Sequence, residues 1–162
     1  MNLNPLEGEK CLYSIKDLYK KDNRFYLNET DILSYYGNYE RLLRSITDKI
    51  SWKICVSNND YSGDYFFVGE DDEKGIYFST GGYGSCSACD KYYACSSFED
   101  FEHLRDSIKR NIRKFDNIEE FINYINTFSK DNWYCYSNDW NEFKAELKRV
   151  YSIKIGEEEL SF

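Results

Sequence analysis

The amino-acid sequence predicts an α+β fold: one domain over residues 1–162, in which a short antiparallel β-meander of about three strands packs with several α-helices. The length of 162 residues is usual for a single domain. Apolar residues recur with the period of an α-helix near both ends of the chain, and with the period of a β-strand between residues 51 and 80. A hydrophobic fraction of 41% provides for a sizeable core.

Two short helices are predicted in the first third of the chain, because apolar side chains recur there every three or four residues. The first set is Leu12, Ile15, Leu18 and Tyr19, and the second is Tyr39, Leu42, Leu43 and Ile46.

From residue 51 the apolar period becomes two, which predicts a half-buried strand with Trp52, Ile54 and Val56 on one face. Two further strands follow, and polar, glycine-containing turns separate the three. The predicted strands cover residues 51–57, 64–69 and 76–80, and the turns cover residues 58–63 and 70–75.

Three longer helices are predicted in the second half of the chain. Ser97 followed by Asp100 resembles a capping box, and an apolar stripe extends the helix that begins there to about residue 115. Asn117 and Asp139 are predicted to cap the other two helices.

The charge favours a basic partner, and the absence of targeting signals indicates a cytoplasmic protein. A net charge of −8, from 29 acidic and 21 basic residues, opposes non-specific binding to nucleic acid and favours a partner with a basic surface. No stretch approaches the roughly 18 apolar residues of a membrane span. The first ten residues lack the pattern of a secretory signal. We therefore expect a protein partner, and neither direct nucleic-acid binding nor a membrane.

Three closely spaced cysteines predict a zinc site that staples the domain. Cys86, Cys89 and Cys95 lie within ten residues, and the first two have the spacing that lets both sulfurs reach one tetrahedral ion. Cytosolic thiols stay reduced, so ligation or plain burial is expected before disulfides. An iron–sulfur cluster normally requires a fourth cysteine nearby, and a redox C-x-x-C normally begins a helix beside a parallel sheet.

The fourth zinc ligand is assigned to Asp64, which begins the second predicted strand and can meet the cysteine loop if the glycines after residue 80 fold back over the sheet. Helical geometry directs His103 away from the apolar stripe of its helix. The alternatives that remain open are Asp90, Cys55, His103, Cys135 and Cys11.

The stretch around these cysteines resembles a group of small phage and bacterial proteins. Their pattern is YQGD, then a glycine-rich strand end, then GSCSGCD and a further cysteine. It falls here on Tyr61, Gly63, Asp64, Gly84, Ser85, Cys86, Ser87, Cys89, Asp90 and Cys95, and Ala88 replaces the usual glycine. The resemblance covers the middle third of the chain and implies a shared fold and a shared metal. Within that group, an acidic, aromatic, zinc-holding protein of this size also looks like a phage-borne anti-CRISPR inhibitor of a type II RNA-guided nuclease.

Carboxylates cluster in the predicted turns, and such rows can imitate a nucleic-acid backbone and occupy a basic groove. Their ordinary role is to keep turns hydrated. The predicted partner-binding residues are Asp60, Glu70, Asp71, Asp72 and Glu73. A basic stripe of Arg105, Lys109 and Arg113 indicates an alternative function, a small accessory protein that binds nucleic acid, unless the stripe is a solvated helix face.

Catalysis is not expected, because the chain lacks a nucleotide-binding glycine motif and the H-E-x-x-H motif, and has one histidine. The enzymatic alternative is a metal-dependent hydrolase whose zinc keeps an open position for water, with Asp64 or Asp90 as base. The leading expectation is a zinc-binding acidic inhibitor that binds a type II CRISPR nuclease and blocks loading of target DNA.

Overall fold

A computed structural model of the chain describes residues 4–20, 39–57, 63–83, 95, 97–131 and 138–153. Helices and an antiparallel sheet make up this part of the chain, so the predicted α+β class is confirmed. The elements are α1 Ile15–Lys20, α2 Tyr39–Arg44, β1 Ser51–Val56, β2 Gly63–Glu70, β3 Ile76–Tyr83, α3 Phe98–Asn111, β4 Arg113–Phe115, α4 Ile118–Asp131 and α5 Asn138–Tyr151. None of these helices is long and apolar enough to cross a membrane.

The sheet has the order β1-β2-β3-β4, and each neighbouring pair is antiparallel. The fourth strand lies where the sequence predicted the end of a helix. That prediction is wrong for the last residues, because Ile112 has extended dihedral angles, φ −69° and ψ 130°, and ends α3. The chain then pairs with β3, with Phe115 opposite Ile76. In the described part of the chain the sheet therefore has four strands, one more than predicted.

A β-bulge in β1 corrects the predicted face of that strand. The register shifts between Trp52 and Ile54, and Lys53 is the extra residue. Trp52 consequently packs into a different hydrophobic cluster from Ile54 and Val56, although all three side chains are buried. Gly69, which lies opposite Trp52, leaves room for the indole ring.

Each face of the sheet packs against its own group of helices. In the first cluster, strand residues such as Tyr65 and Phe67 contact apolar residues of α1, α2 and α3. In the second cluster, Phe66 and Phe78 contact α4 and α5, and Phe66 stacks on Phe143 with ring centroids 4.8 Å apart. Because both faces are buried, β2 is apolar at successive positions and does not alternate.

Two of the predicted helix caps are confirmed. The Ser97 side chain accepts a hydrogen bond from the Asp100 N–H at 3.1 Å, and Asn117 accepts one from the Glu120 N–H at 3.0 Å. The predicted cap at Asp139 is wrong, since α5 already begins at Asn138.

Replacing Ser152 by glycine is expected to raise the free energy of unfolding by about 0.5–1 kcal/mol. Ser152 follows α5 with φ 58°, a left-handed conformation that glycine adopts without steric cost, and its N–H donates to the Lys148 carbonyl oxygen at 3.0 Å. Urea denaturation measures the change. Ser107→Gly, inside α3, is the control and should destabilise the protein; an equal loss in both variants would contradict this explanation.

Candidate functional site

The predicted cysteine loop connects the end of β3 to the start of α3. Tyr83, the last residue of β3, pairs with Gly63 at the beginning of β2. Cys95, just before α3, is half-buried against the first hydrophobic cluster. Five predicted site residues lie outside the described residues: Asp60, Cys86, Cys89, Asp90 and Cys135.

Asp64, the predicted fourth zinc ligand, lies on the other side of the sheet from this cluster. Along β2, Tyr65 belongs to the first cluster and Phe66 to the second, and strand alternation places Asp64 on the same face as Phe66. The Asp64 N–H donates to a carboxylate oxygen of the buried Asp139 at 2.8 Å. Asp64 is therefore tied to α5, whereas Cys95 packs on the opposite face.

Cys55 lies in a polar contact with α2. A guanidinium N–H of Arg44 is 3.5 Å from the Cys55 sulfur, and Arg44 also pairs with Glu40 at 2.9 Å. Burial, followed by the negative charge of Glu40, raises the pKa of Cys55 to about 12, and Arg44 opposes this only in part. A thiol with this pKa stays protonated at neutral pH, and zinc binding there requires loss of that proton.

Two other candidate ligands are Cys11 and His103. Cys11 lies beside the middle of α3, and the His103 side chain points outward from that helix. Cys11 packs against the first cluster between Glu9, which contacts Lys109, and Tyr13, which contacts Arg105. At a rise of about 1.5 Å per residue, Arg105 and Lys109 are roughly 10–17 Å along α3 from Phe98, where this helix begins. His103 is exposed, and the predicted outward direction of this side chain is confirmed.

Within the described ranges, no three His, Cys, Asp or Glu side chains are grouped to hold a metal ion. Of the four predicted ligands only Cys95 and Asp64 belong to these ranges, and they pack on different faces of the sheet. The zinc site therefore remains a prediction that depends on the spacing of Cys86, Cys89 and Cys95 and on the affinity of thiolates for zinc.

The acidic turn between β2 and β3 is organised by Asp71. One carboxylate oxygen of Asp71 accepts hydrogen bonds from the N–H groups of Glu73 and Gly75, at 2.9 and 2.8 Å. The other accepts one from the Tyr77 hydroxyl at 2.9 Å and lies 3.5 Å from the Lys114 ammonium group. Desolvation acts to raise the pKa of Asp71, but these hydrogen bonds and Lys114 outweigh it and lower the pKa. Asp71 thus holds the turn together.

Other carboxylates of this turn are exposed and lie beside a second acidic group. Because Ile76 pairs with both Glu70 and Phe115, the turn lies at the same end of the sheet as the beginning of α4. We call the exposed carboxylates at this position the acidic end: Asp72, Glu73, Asp116, Glu119 and Glu120. The last three were missed from the sequence, because only the pairing of β4 brings them beside the turn.

The predicted basic stripe on α3 is not a continuous surface, which is a correction to the sequence analysis. Arg105 is buried and donates to the Tyr13 carbonyl oxygen, to Ser45 and to Glu102. The Lys109 ammonium group donates to the carbonyl oxygen of Glu9. The Arg113 guanidinium lies 5.2 Å from the centre of the Tyr124 ring. All three cations therefore contact the chain itself, Arg105 and Lys109 through hydrogen bonds and Arg113 through an aromatic ring.

Comparison of the chain with protein-family models, with curated proteins and with solved structures finds no match.

Proposed function

We propose that the protein acts by binding a partner protein with a basic surface, and that the acidic end provides the contact. The observation that carries this proposal is the position of the five exposed carboxylates at one end of the sheet, on two adjacent segments. Lys74 and Lys114 lie beside them, but Lys114 is paired with Asp71, so negative charge predominates. Such a surface attracts a basic partner over distances of about one Debye length, roughly 8–10 Å.

The turn is well suited to this role because its backbone is fixed. Asp71 accepts hydrogen bonds within the turn, and its N–H donates to the Gly75 carbonyl oxygen at 3.1 Å. Asp72 and Glu73 are therefore presented on a rigid segment, and little conformational entropy is lost there on binding.

The proposed partner is a type II RNA-guided CRISPR nuclease, and binding would block loading of target DNA. The resemblance of the cysteine stretch to small phage and bacterial proteins supports this class of partner, as does the net charge of −8. Nucleases of this kind hold nucleic acid in a positively charged channel, which an acidic surface can occupy. In this proposal a zinc ion held by Cys86, Cys89 and Cys95 stiffens the loop that follows β3.

A mobility-shift assay tests the nuclease as partner. Guide-loaded nuclease is mixed with labelled target DNA and increasing amounts of the protein, at low salt and at about 0.5 M salt. The proposal predicts that DNA loading is lost at low salt and partly restored at high salt, because screening weakens exposed charge pairs. Normal DNA loading at saturating protein would exclude this partner.

A further inference from the structure

The segment before α1 runs antiparallel to α3 and is held by its side chains. We call residues 4–14 the N-terminal strap. Lys109 donates to the Glu9 carbonyl oxygen, and Arg105 donates to the Tyr13 carbonyl oxygen at 2.5 Å. Residues 105 and 109 are one helical turn apart, so one side of α3 binds two backbone carbonyls of the strap, those of Glu9 and Tyr13.

Two contacts join the strap to the segment between α2 and β1. The Leu12 N–H donates to the Ser45 carbonyl oxygen at 3.0 Å, and Lys49 pairs with the Glu9 carboxylate at 2.7 Å. Where the strap meets α1, the Ile15 N–H donates to Glu102 at 2.8 Å. The strap is thus attached mainly by side chains and by single hydrogen bonds.

Few apolar contacts support these hydrogen bonds. Leu6, 3% exposed, is the one strap residue fully buried in the first cluster, Cys11 is half-buried against that cluster, and Leu12 is 40% exposed. The backbone hydrogen bonds within the strap close two turns, from Glu7 to Asn4 and from Glu9 to Leu6. The strap pairs with no strand in the part of the chain that the structure describes, in contrast to β2, which pairs along both edges.

We propose that the N-terminal strap opens as a unit while the sheet stays folded, and that opening uncovers the side of α3 that carries Arg105. Segments with few buried apolar contacts open at lower free energy than core strands. Arg105 is 3% exposed in the closed form, and its bond to Tyr13 is lost on opening. The bonds of Arg105 to Ser45 and Glu102 do not involve the strap, so they persist in the open form and keep this side chain in place.

Hydrogen exchange of the 162-residue chain under native conditions tests the proposal. The Leu12 amide is expected to exchange about 100-fold faster than the slowest amides of β2. Lys109→Ala, which removes the bond to the Glu9 carbonyl oxygen, is expected to accelerate exchange at Leu12 about tenfold and to leave β2 unchanged. Arg110→Ala is the matched control, because Arg110 is exposed on the same helix and forms no hydrogen bond or ion pair with residues 4–14, all of which the structure describes; it should leave both rates unchanged.

Equal exchange rates in the strap and in β2 would contradict the proposal. If Leu12 exchanges as slowly as the β2 amides, and Lys109→Ala accelerates both alike, the strap unfolds only together with the sheet and the proposal is wrong. The test does not depend on the nuclease or on zinc, so its outcome is separate from that of the proposed function.

Discussion

Replacing Cys86 by serine is expected to abolish zinc binding and to lower the free energy of unfolding by several kcal/mol. The binding free energy of a structural zinc ion is also folding free energy, because the unfolded chain does not hold its ligands together. Serine is a poor zinc ligand, and the remaining cysteines of the loop would then hold the ion incompletely. Native mass spectrometry measures the zinc content, and urea denaturation measures the stability.

Cys11→Ser is the matched control for this prediction. Cys11 is one of the alternative fourth ligands, but it is half-buried in the first cluster alongside the middle of α3, so it is not expected to reach an ion held just before that helix. This variant should keep one zinc ion per chain and lose only the packing of one sulfur atom. Equal zinc content and equal unfolding midpoints in the Cys86→Ser variant and the parent protein would exclude the zinc site.

Replacing Gly69 by alanine is expected to lower the free energy of unfolding by about 3 kcal/mol. A Cβ atom at this position would lie 2.5 Å from a side-chain carbon of Ile50 and 2.9 Å from the Trp52 ring, and real Cβ atoms essentially never come so close. Both neighbours are buried in the first cluster, so they have no free space to move into. Urea denaturation is again the measurement.

Gly8→Ala separates steric crowding from backbone strain. Gly8 has φ 79°, and a Cβ atom there would meet no atom within 4 Å, so only conformational strain of about 1 kcal/mol is expected. If Gly69→Ala is no more destabilising than Gly8→Ala, the close packing of Trp52 over Gly69 is incorrect.

The sequence predicted those elements whose signals are local. The cap at Ser97 and the apolar stripe as far as Ile108 are contained within one helix, and both are confirmed. β4 was missed because a strand of three residues is defined by its pairing with β3, and the spacing of Ile108, Ile112 and Phe115 fits a helix equally well. The pairing of β4 with β3 joins segments that are distant in the sequence, so it can be recognised only once the fold is known.

The predicted face of β1 and the predicted basic stripe on α3 were wrong for one physical reason. A sequence pattern can indicate that a residue is buried or exposed, but it does not show which part of the fold the residue contacts. Trp52, Ile54 and Val56 keep a period of two across the bulge, since both faces of the sheet are covered. The sequence predicts a surface cation at Arg105, but its guanidinium is buried and donates to the Tyr13 carbonyl oxygen, to Ser45 and to Glu102. The role of Asp71 was not predicted either, because it depends on contacts with Tyr77 and Lys114 that only the folded chain brings together.

Charge reversal at the acidic end tests directly whether this surface binds the nuclease. The Asp72→Lys, Glu73→Lys double variant leaves Asp71 and its hydrogen bonds in place. The control is Glu142→Lys on α5, an exposed acidic site outside the acidic end, and it leaves the neighbouring Lys144 unchanged. Binding to guide-loaded nuclease is measured by titration at low salt. We expect the double variant to bind at least tenfold more weakly, with unchanged thermal stability, and the control to bind like the parent protein. Equal affinity for the parent protein and the double variant would contradict binding through the acidic end.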